Sequence, residues 1–125
     1  MSGDADLAAG IIGDLAAAII DTSRALDSSY PASLCGEAID RRRIDKLAEE
    51  VGEVIDAYNG YVGENPRKGV TNDLAKVLEE LIDVAACALG AYEHLTDCRG
   101  ESIDALCGQT IWKRDRLAAA IAGAS

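Results

Sequence analysis

The sequence predicts an all-α protein, an antiparallel bundle of about four helices. Three observations lead there. The apolar content, 49% of residues, rests on Ala, Leu and Ile, with no Phe and one Trp, which favours helix over sheet. Apolar residues recur at spacings of three and four along four long stretches, each bounded by turn-forming residues. No stretch alternates as a strand does, and no internal repeat stands out. At 125 residues the chain is expected to form a single domain, long enough to bury roughly two thirds of its surface.

The first helix is expected over 6–26, where Leu7, Ile11, Leu15 and Ile19 lie four apart. Asp27, Ser28, Ser29, Tyr30 and Pro31 then break it. The second is expected over 36–58, with Ile44, Leu47, Val51, Val54 and Tyr58 as its seam. Three Gly, a Pro and two Asn make 59–69 a loop. Thr71 is the expected cap of a third helix running to Leu95, with Asp73 in its first turn and Leu74, Leu78, Leu81, Ala85, Ala88, Tyr92 and Leu95 as its seam. A connection over 96–100 leads to a fourth helix over 102–121.

Charge and cysteine usage narrow the function classes. With 22 Asp+Glu against 12 Lys+Arg, the net charge is −10. No nucleic-acid partner is expected, because phosphate contacts need a basic footprint, and no anionic membrane partner either. A metal cation between protein and a polyanion would lift that restriction. The apolar stretch from Leu7 to Ile20 holds Asp14 and follows Asp4 and Asp6, which suits neither a secretory signal nor a spanning helix. The expected location is the cytoplasm. Cys35, Cys87, Cys98 and Cys107 form no C-x-x-C, and His94 is the one histidine, so a zinc site fails. The cysteines are expected as small buried apolar residues in a reducing compartment.

The carboxylates carry the chemistry. Helix two holds Glu49, Glu50 and Glu53, and helix three holds Glu79, Glu80 and Asp83. Each set contains an acid-x-x-acid spacing, which puts both side chains on one helix face. At this acid content chance alone gives about four such pairs, so one pair means little. Register changes the odds. Facing residues of an antiparallel hairpin have a constant sum of residue numbers. Glu50 with Asp83 and Glu53 with Glu80 share one sum, whose midpoint falls between Pro66 and Arg67, inside the loop.

The face matters too. Glu50 lies between Leu47 and Val54 on the helical wheel, and Glu80 between Val77 and Val84, at the border of the apolar stripe. Gly52, Ala86 and Cys87 are small neighbours that leave room for a ligand. Four carboxylates converging there repel one another. Two unit charges about 5 Å apart cost about 3 kcal/mol at an effective dielectric of about 20. Divalent cations remove that cost, and all-oxygen ligation suits Mg²⁺ or Mn²⁺. A di-iron bundle needs Glu-x-x-His, and Ala91 stands three residues before His94.

Lys46-Leu47-Ala48-Glu49-Glu50-Val51-Gly52-Glu53, followed by Glu80-x-x-Asp83, resembles the signature of the MazG-like all-α nucleoside triphosphate pyrophosphohydrolases. The loop Gly63-Glu64-Asn65-Pro66-Arg67-Lys68-Gly69 resembles that of the small actinobacterial MazG-like proteins, and the likeness covers residues 43–92. The resemblance implies that Glu50, Glu53, Glu80 and Asp83 are metal ligands and that Glu49 is a further carboxylate orienting water. It implies Mg²⁺-dependent hydrolysis of a nucleoside triphosphate to the monophosphate and pyrophosphate, by a homodimer or homotetramer whose subunits complete one bundle. A helical bundle that binds nucleotide or metal with weak or no turnover is the alternative.

Basic groups should complete a phosphate cradle. Arg67 and Lys68 in the loop and Lys113, Arg114 and Arg116 on helix four are the candidates. Arg114 interrupts the line of Thr110, Leu117 and Ile121 where an apolar residue is expected. Arg41, Arg42, Arg43 and Lys46 read instead as an exposed face pairing with Glu37, Asp40 and Asp45. Trp112, Tyr58, Tyr61 and Tyr92 are expected in the core or at a subunit interface.

Overall fold

Four helices form, α1 (Ser2–Ser29), α2 (Glu37–Val62), α3 (Leu74–Leu95) and α4 (Ser102–Ala124). A computed structural model describes residues 2–124, and no strand occurs among them. α1 and α4 outrun their expected ends because nothing in their flanks is costly enough to stop a helix. α2 runs through Asn59 and Gly60, which the sequence places in a loop. It ends at Gly63, whose φ of 67° and ψ of 41° are left-handed, and the Glu64 N–H reaches back to the Asn59 carbonyl at 3.0 Å.

Gly60 stays helical and serves close approach instead. A Cβ there would meet Asn72 Nδ2 at 2.5 Å and Thr71 Oγ1 at 2.6 Å. The Thr71 N–H donates to the Gly60 carbonyl at 2.9 Å, closing the loop on α2. Thr71 is therefore not the cap of α3. Asp73 is, accepting from the Lys76 N–H at 3.0 Å.

α2 and α3 form the antiparallel hairpin that the register argument describes, and it is the most extensive helix pair. α1 lies along α3 and runs parallel to it. Ser23 Oγ donates to the Gly90 carbonyl at 3.0 Å, and one turn on Asp27 meets His94. α4 is held by its first turn. Buried Glu93 accepts from the N–H groups of Gly100 at 2.8 Å and Ser102 at 2.9 Å, and Ser102 and Ile103 are buried beside it. From Leu106 onward the described residues of α4 are exposed.

The expected seam of α3 lies on the exposed side, and that of α2 does so except for the half-buried Leu47 and Val54. Leu74, Leu78, Leu81, Tyr92 and Leu95 of α3 are exposed, as are Ile44, Val51 and Tyr58 of α2. The inward line of α3 is Val77, Glu80, Val84, Cys87 and Ala91, and that of α2 is Arg43, Leu47, Glu50, Val54 and Ala57. The reason is that both helices carry apolar residues on two sides. Picking the bulkier side chains chose the outer stripe, while the inner one contains charged residues, Glu50 and Glu80 paired with lysines of their own helices and Arg43 with Asp27 of α1. On α1, Leu7, Ile11 and Leu15 are exposed and Ile19 alone of that line is buried.

The cysteines are all free, but none is buried. Cys35 and Cys107 are exposed, and Cys87 and Cys98 half-buried. Trp112 is half exposed with Arg116 stacked over its ring at 4.8 Å, and Tyr58 packs on Tyr61 at 6.3 Å between centroids. Among the described residues, no helix is long and apolar enough to cross a membrane.

Candidate metal centre and adjoining cleft

The α2–α3 hairpin brings the two acid pairs level. Glu50, Glu80 and Asp83 each offer a carboxylate oxygen, and these atoms lie within 4.8 Å of one another. Glu53 stands beside them, next to Glu80 as the register requires. The Glu50 and Glu80 side chains are only 13% and 8% exposed, whereas Asp83 and Glu53 open to solvent. Glu49 is exposed and pairs with Lys46 at 3.4 Å.

Glu50 and Glu80 each have a lysine one turn earlier. Lys46 Nζ is 3.1 Å from Glu50 Oε1, and Lys76 Nζ is 2.6 Å from Glu80 Oε1. Both lysines have pKa values above the ordinary, first because of these hydrogen bonds. Lys76 likewise draws Glu80 below the usual carboxylate range, against the opposing effect of burial. Glu53 is pushed the other way, first by the charge of Glu50, then by burial and by Glu80.

A hard divalent cation fits this arrangement. Glu80 Oε2 is buried without a hydrogen-bond partner, an acceptor that no donor of the described residues satisfies. Oxygens of Glu50, Glu80 and Asp83, one from each, come together, with no nitrogen or sulfur ligand, the donor set suited to Mg²⁺ or Mn²⁺. A Cβ on Gly52 would meet nothing within 4 Å, so the helix surface at that position is open.

A cleft of about 490 Å³ opens next to the acids, between α1, α2 and α3. Its walls are mostly apolar, with Leu15, Ile19 and Leu26 from α1 and Ala86 and Cys87 from α3. Lys46 and Glu50 line it where it meets the acid cluster. Burial is the main influence that raises the Cys87 pKa, which keeps the thiol protonated and unreactive.

The expected cations are placed differently. The acids pair with Lys46 and Lys76. Among the described residues, none of Arg67, Lys68, Lys113, Arg114 or Arg116 forms an ion pair with them. Arg67 and Lys68 lie in the α2–α3 loop, and the helix-four cations lie on exposed α4, where Arg114 pairs with Asp115 at 3.1 Å. Arg41 pairs with Glu37 on an exposed face, as expected. Arg43 does not share that face. It is buried, donating to the Ser23 carbonyl and hydroxyl at 3.0 Å and to Asp27 at 3.2 Å. A Cβ on Gly90 would come within 3.1 Å of its Nη2, so the glycine makes its room.

Lys76 is the residue that sequence reasoning missed. Its signal was present: Lys46-x-x-Glu49-Glu50-x-x-Glu53 recurs as Lys76-x-x-Glu79-Glu80-x-x-Asp83, the same pattern on both helices. Residues 13–104 match the protein family described as phosphoribosyl-ATP pyrophosphohydrolase. Neither the curated proteins nor the solved structures compared with the chain give a match. The matched span takes in both acid-bearing helices, the loop between them and the part of α1 that walls the cleft. The chain therefore belongs to the phosphoribosyl-ATP pyrophosphohydrolase family, an all-α family of pyrophosphohydrolases.

Proposed function

We propose that this protein is a Mg²⁺-dependent nucleotide pyrophosphohydrolase, cleaving the α–β anhydride of a nucleoside triphosphate to release the monophosphate and pyrophosphate. The observation that carries this reading is the opposed acid pairs of α2 and α3 around an unpartnered, buried carboxylate oxygen. Glu50, Glu53, Glu80 and Asp83 would hold the metal. When bound there, it neutralises phosphate charge and lowers the pKa of a coordinated water. Glu49, exposed in the same turn as Glu50 and Glu53, is assigned to orienting water. The cleft beside Glu50 takes the nucleoside, its apolar walls excluding water from one side of the reacting phosphates.

The phosphate cradle is proposed to form on assembly. Arg67, Lys68, Lys113, Arg114 and Arg116 would contact phosphates across a subunit interface, in a homodimer or homotetramer. The support is the exposed apolar line of Leu74, Leu78, Leu81 and Ile82 with Ile44, Val51 and Ile55. The free cysteines suit a reducing cytoplasm, which also holds nucleotide pools.

The family's name favours phosphoribosyl-ATP as a second substrate with the same anhydride. The narrower likeness of residues 43–92 to small MazG-like proteins favours ordinary nucleoside triphosphates. A panel of ribo- and deoxyribonucleoside triphosphates with phosphoribosyl-ATP, each with Mg²⁺ and a pyrophosphate readout, decides. Release from at least one substrate, lost with EDTA and reduced at least about tenfold in Glu80→Gln and Asp83→Asn, is expected. Metal binding without release would leave a nucleotide- or metal-binding bundle of regulatory role.

A further inference from the structure

At the end of the bundle away from the α2–α3 loop, one imidazole joins three helices. His94 of α3 places Nδ1 at 2.7 Å from Asp27 Oδ2 of α1, and Nε2 at 2.6 Å from Asp40 Oδ1 in the first turn of α2. Both ring nitrogens thus face carboxylate oxygens. Only the imidazolium has two N–H donors; a neutral ring must turn a lone pair toward one carboxylate. The charged groups facing the ring are Asp27 from α1 and Asp40 and Arg43 from α2.

The two arms are unequal. Asp27 is 29% exposed and already engaged by Arg43 through Oδ1. Asp40 is 47% exposed and its carboxylate meets no other hydrogen-bond donor among the described residues, so it can turn to water. Loss of the proton opens the Asp40 arm first. That arm is the tie between the first turn of α2 and the bundle, and the connection leading into it starts at Tyr30, which lines the cleft.

We propose that His94 is a proton-operated strut: as imidazolium it fastens the start of α2 and the Tyr30–Gly36 connection to α1 and α3, and on losing its proton it lets them loosen at one end of the cleft. Burial pulls the His94 pKa down, but the hydrogen bonds to Asp27 and Asp40 outweigh it and hold it above the ordinary value. The sign follows. The stabilisation is fully present below the unfolded-state value near 6.5 and is lost as pH rises through the folded-state value. The site tightens toward acid and slackens toward alkali.

The test needs neither nucleotide nor metal, so it stands apart from the proposed activity. His94 is the one histidine, and its ring resonance can be followed by NMR without ambiguity. In wild type the midpoint should lie above about 6.5, since each unit of rise corresponds to about a tenfold bias toward the fastened state. Amide exchange at Ile39 and Asp40, whose N–H groups bond the Gly36 carbonyl, should accelerate across that same midpoint after correction for intrinsic rates. His94→Gln should show no such step. Asp40→Asn, at a half-exposed position, should lower the midpoint and flatten the step even if His94→Gln folds poorly. A wild-type midpoint at or below about 6.5 would overturn the proposal. So would exchange at Ile39 and Asp40 that ignores it, or an Asp40→Asn midpoint unchanged from wild type.

Discussion

Glu80 is buried and ionised at once because its two oxygens have different surroundings. Lys76 satisfies Oε1, while Oε2 is buried without a hydrogen-bond partner. Opposite Glu80, Glu53 is held above the ordinary value chiefly by Glu50, so its charge works against the metal-free fold as pH rises. Metal binding should accordingly weaken as pH falls through the carboxylate range, Glu53 protonating before Glu80; calorimetric titration with Mn²⁺ across that range measures it. Glu93 is the contrasting case, buried for structure alone. Burial pushes its carboxyl up, and donation by Ser102 and the Gly100 N–H outweighs that and draws it below the usual range. Its stabilisation is present above the unfolded-state value and is lost as pH falls through the folded one. Glu93→Gln turns one acceptor into a donor against an N–H and should cost about 1–3 kcal/mol in a denaturant melt at neutral pH, the loss shrinking toward acid. The acids were legible because spacing and register are properties of the chain alone. Arg43 and His94 were not, because Ser23 and Asp27, the partners of Arg43, and Asp27 and Asp40, the partners of His94, lie 16 to 67 residues away.

At the element scale, local signals located the helices and failed on their faces. The loop between α2 and α3 was correctly sought around Pro66, but α2 continued past Gly60 to the left-handed Gly63. A glycine inside a helix and one just past its end look alike in sequence. The difference lies in Thr71 and Asn72 packing against Gly60. Gly63→Ala should cost about 1–2 kcal/mol, from the left-handed backbone and the nearby Val70 side chain at 3.2 Å. Asp73→Ala should cost about 1 kcal/mol by exposing the Lys76 N–H, and Thr71→Ala should cost less because it caps nothing; thermal melts of both variants check the order. The inner face of α3 was misread because hydrophobicity ranks its bulkier outer stripe above a line containing Glu80, whereas Leu47 and Val54 of α2 were placed correctly. Chemistry-bearing acids therefore identified the inward face better than leucines did.

On the scale of the whole molecule, the chain leaves much apolar surface uncovered. The outer stripes of α2 and α3 and nearly all of α4 are exposed, a pattern expected of a subunit that completes its core with copies of itself. Light scattering at micromolar concentration should show a dimer or tetramer, and Leu81→Glu should dissociate it while leaving the acid cluster, on the inner face, in place. A stable wild-type monomer would remove the interface on which the phosphate cradle depends. The central claim, that the converging acids are a metal centre, needs no substrate to test. The most direct measurement is the melting temperature of wild type and Glu53→Gln in EDTA, in NaCl and in MgCl₂ at matched ionic strength. A bound ion should add about 2.7 kcal/mol of stability at a hundredfold excess over its dissociation constant, while Na⁺ screens without coordinating. Wild type should show a large Mg²⁺-specific rise, and Glu53→Gln a higher melting point in EDTA with most of the Mg²⁺ response gone. Equal effects of Na⁺ and Mg²⁺, with Glu53→Gln melting like wild type, would contradict the claim.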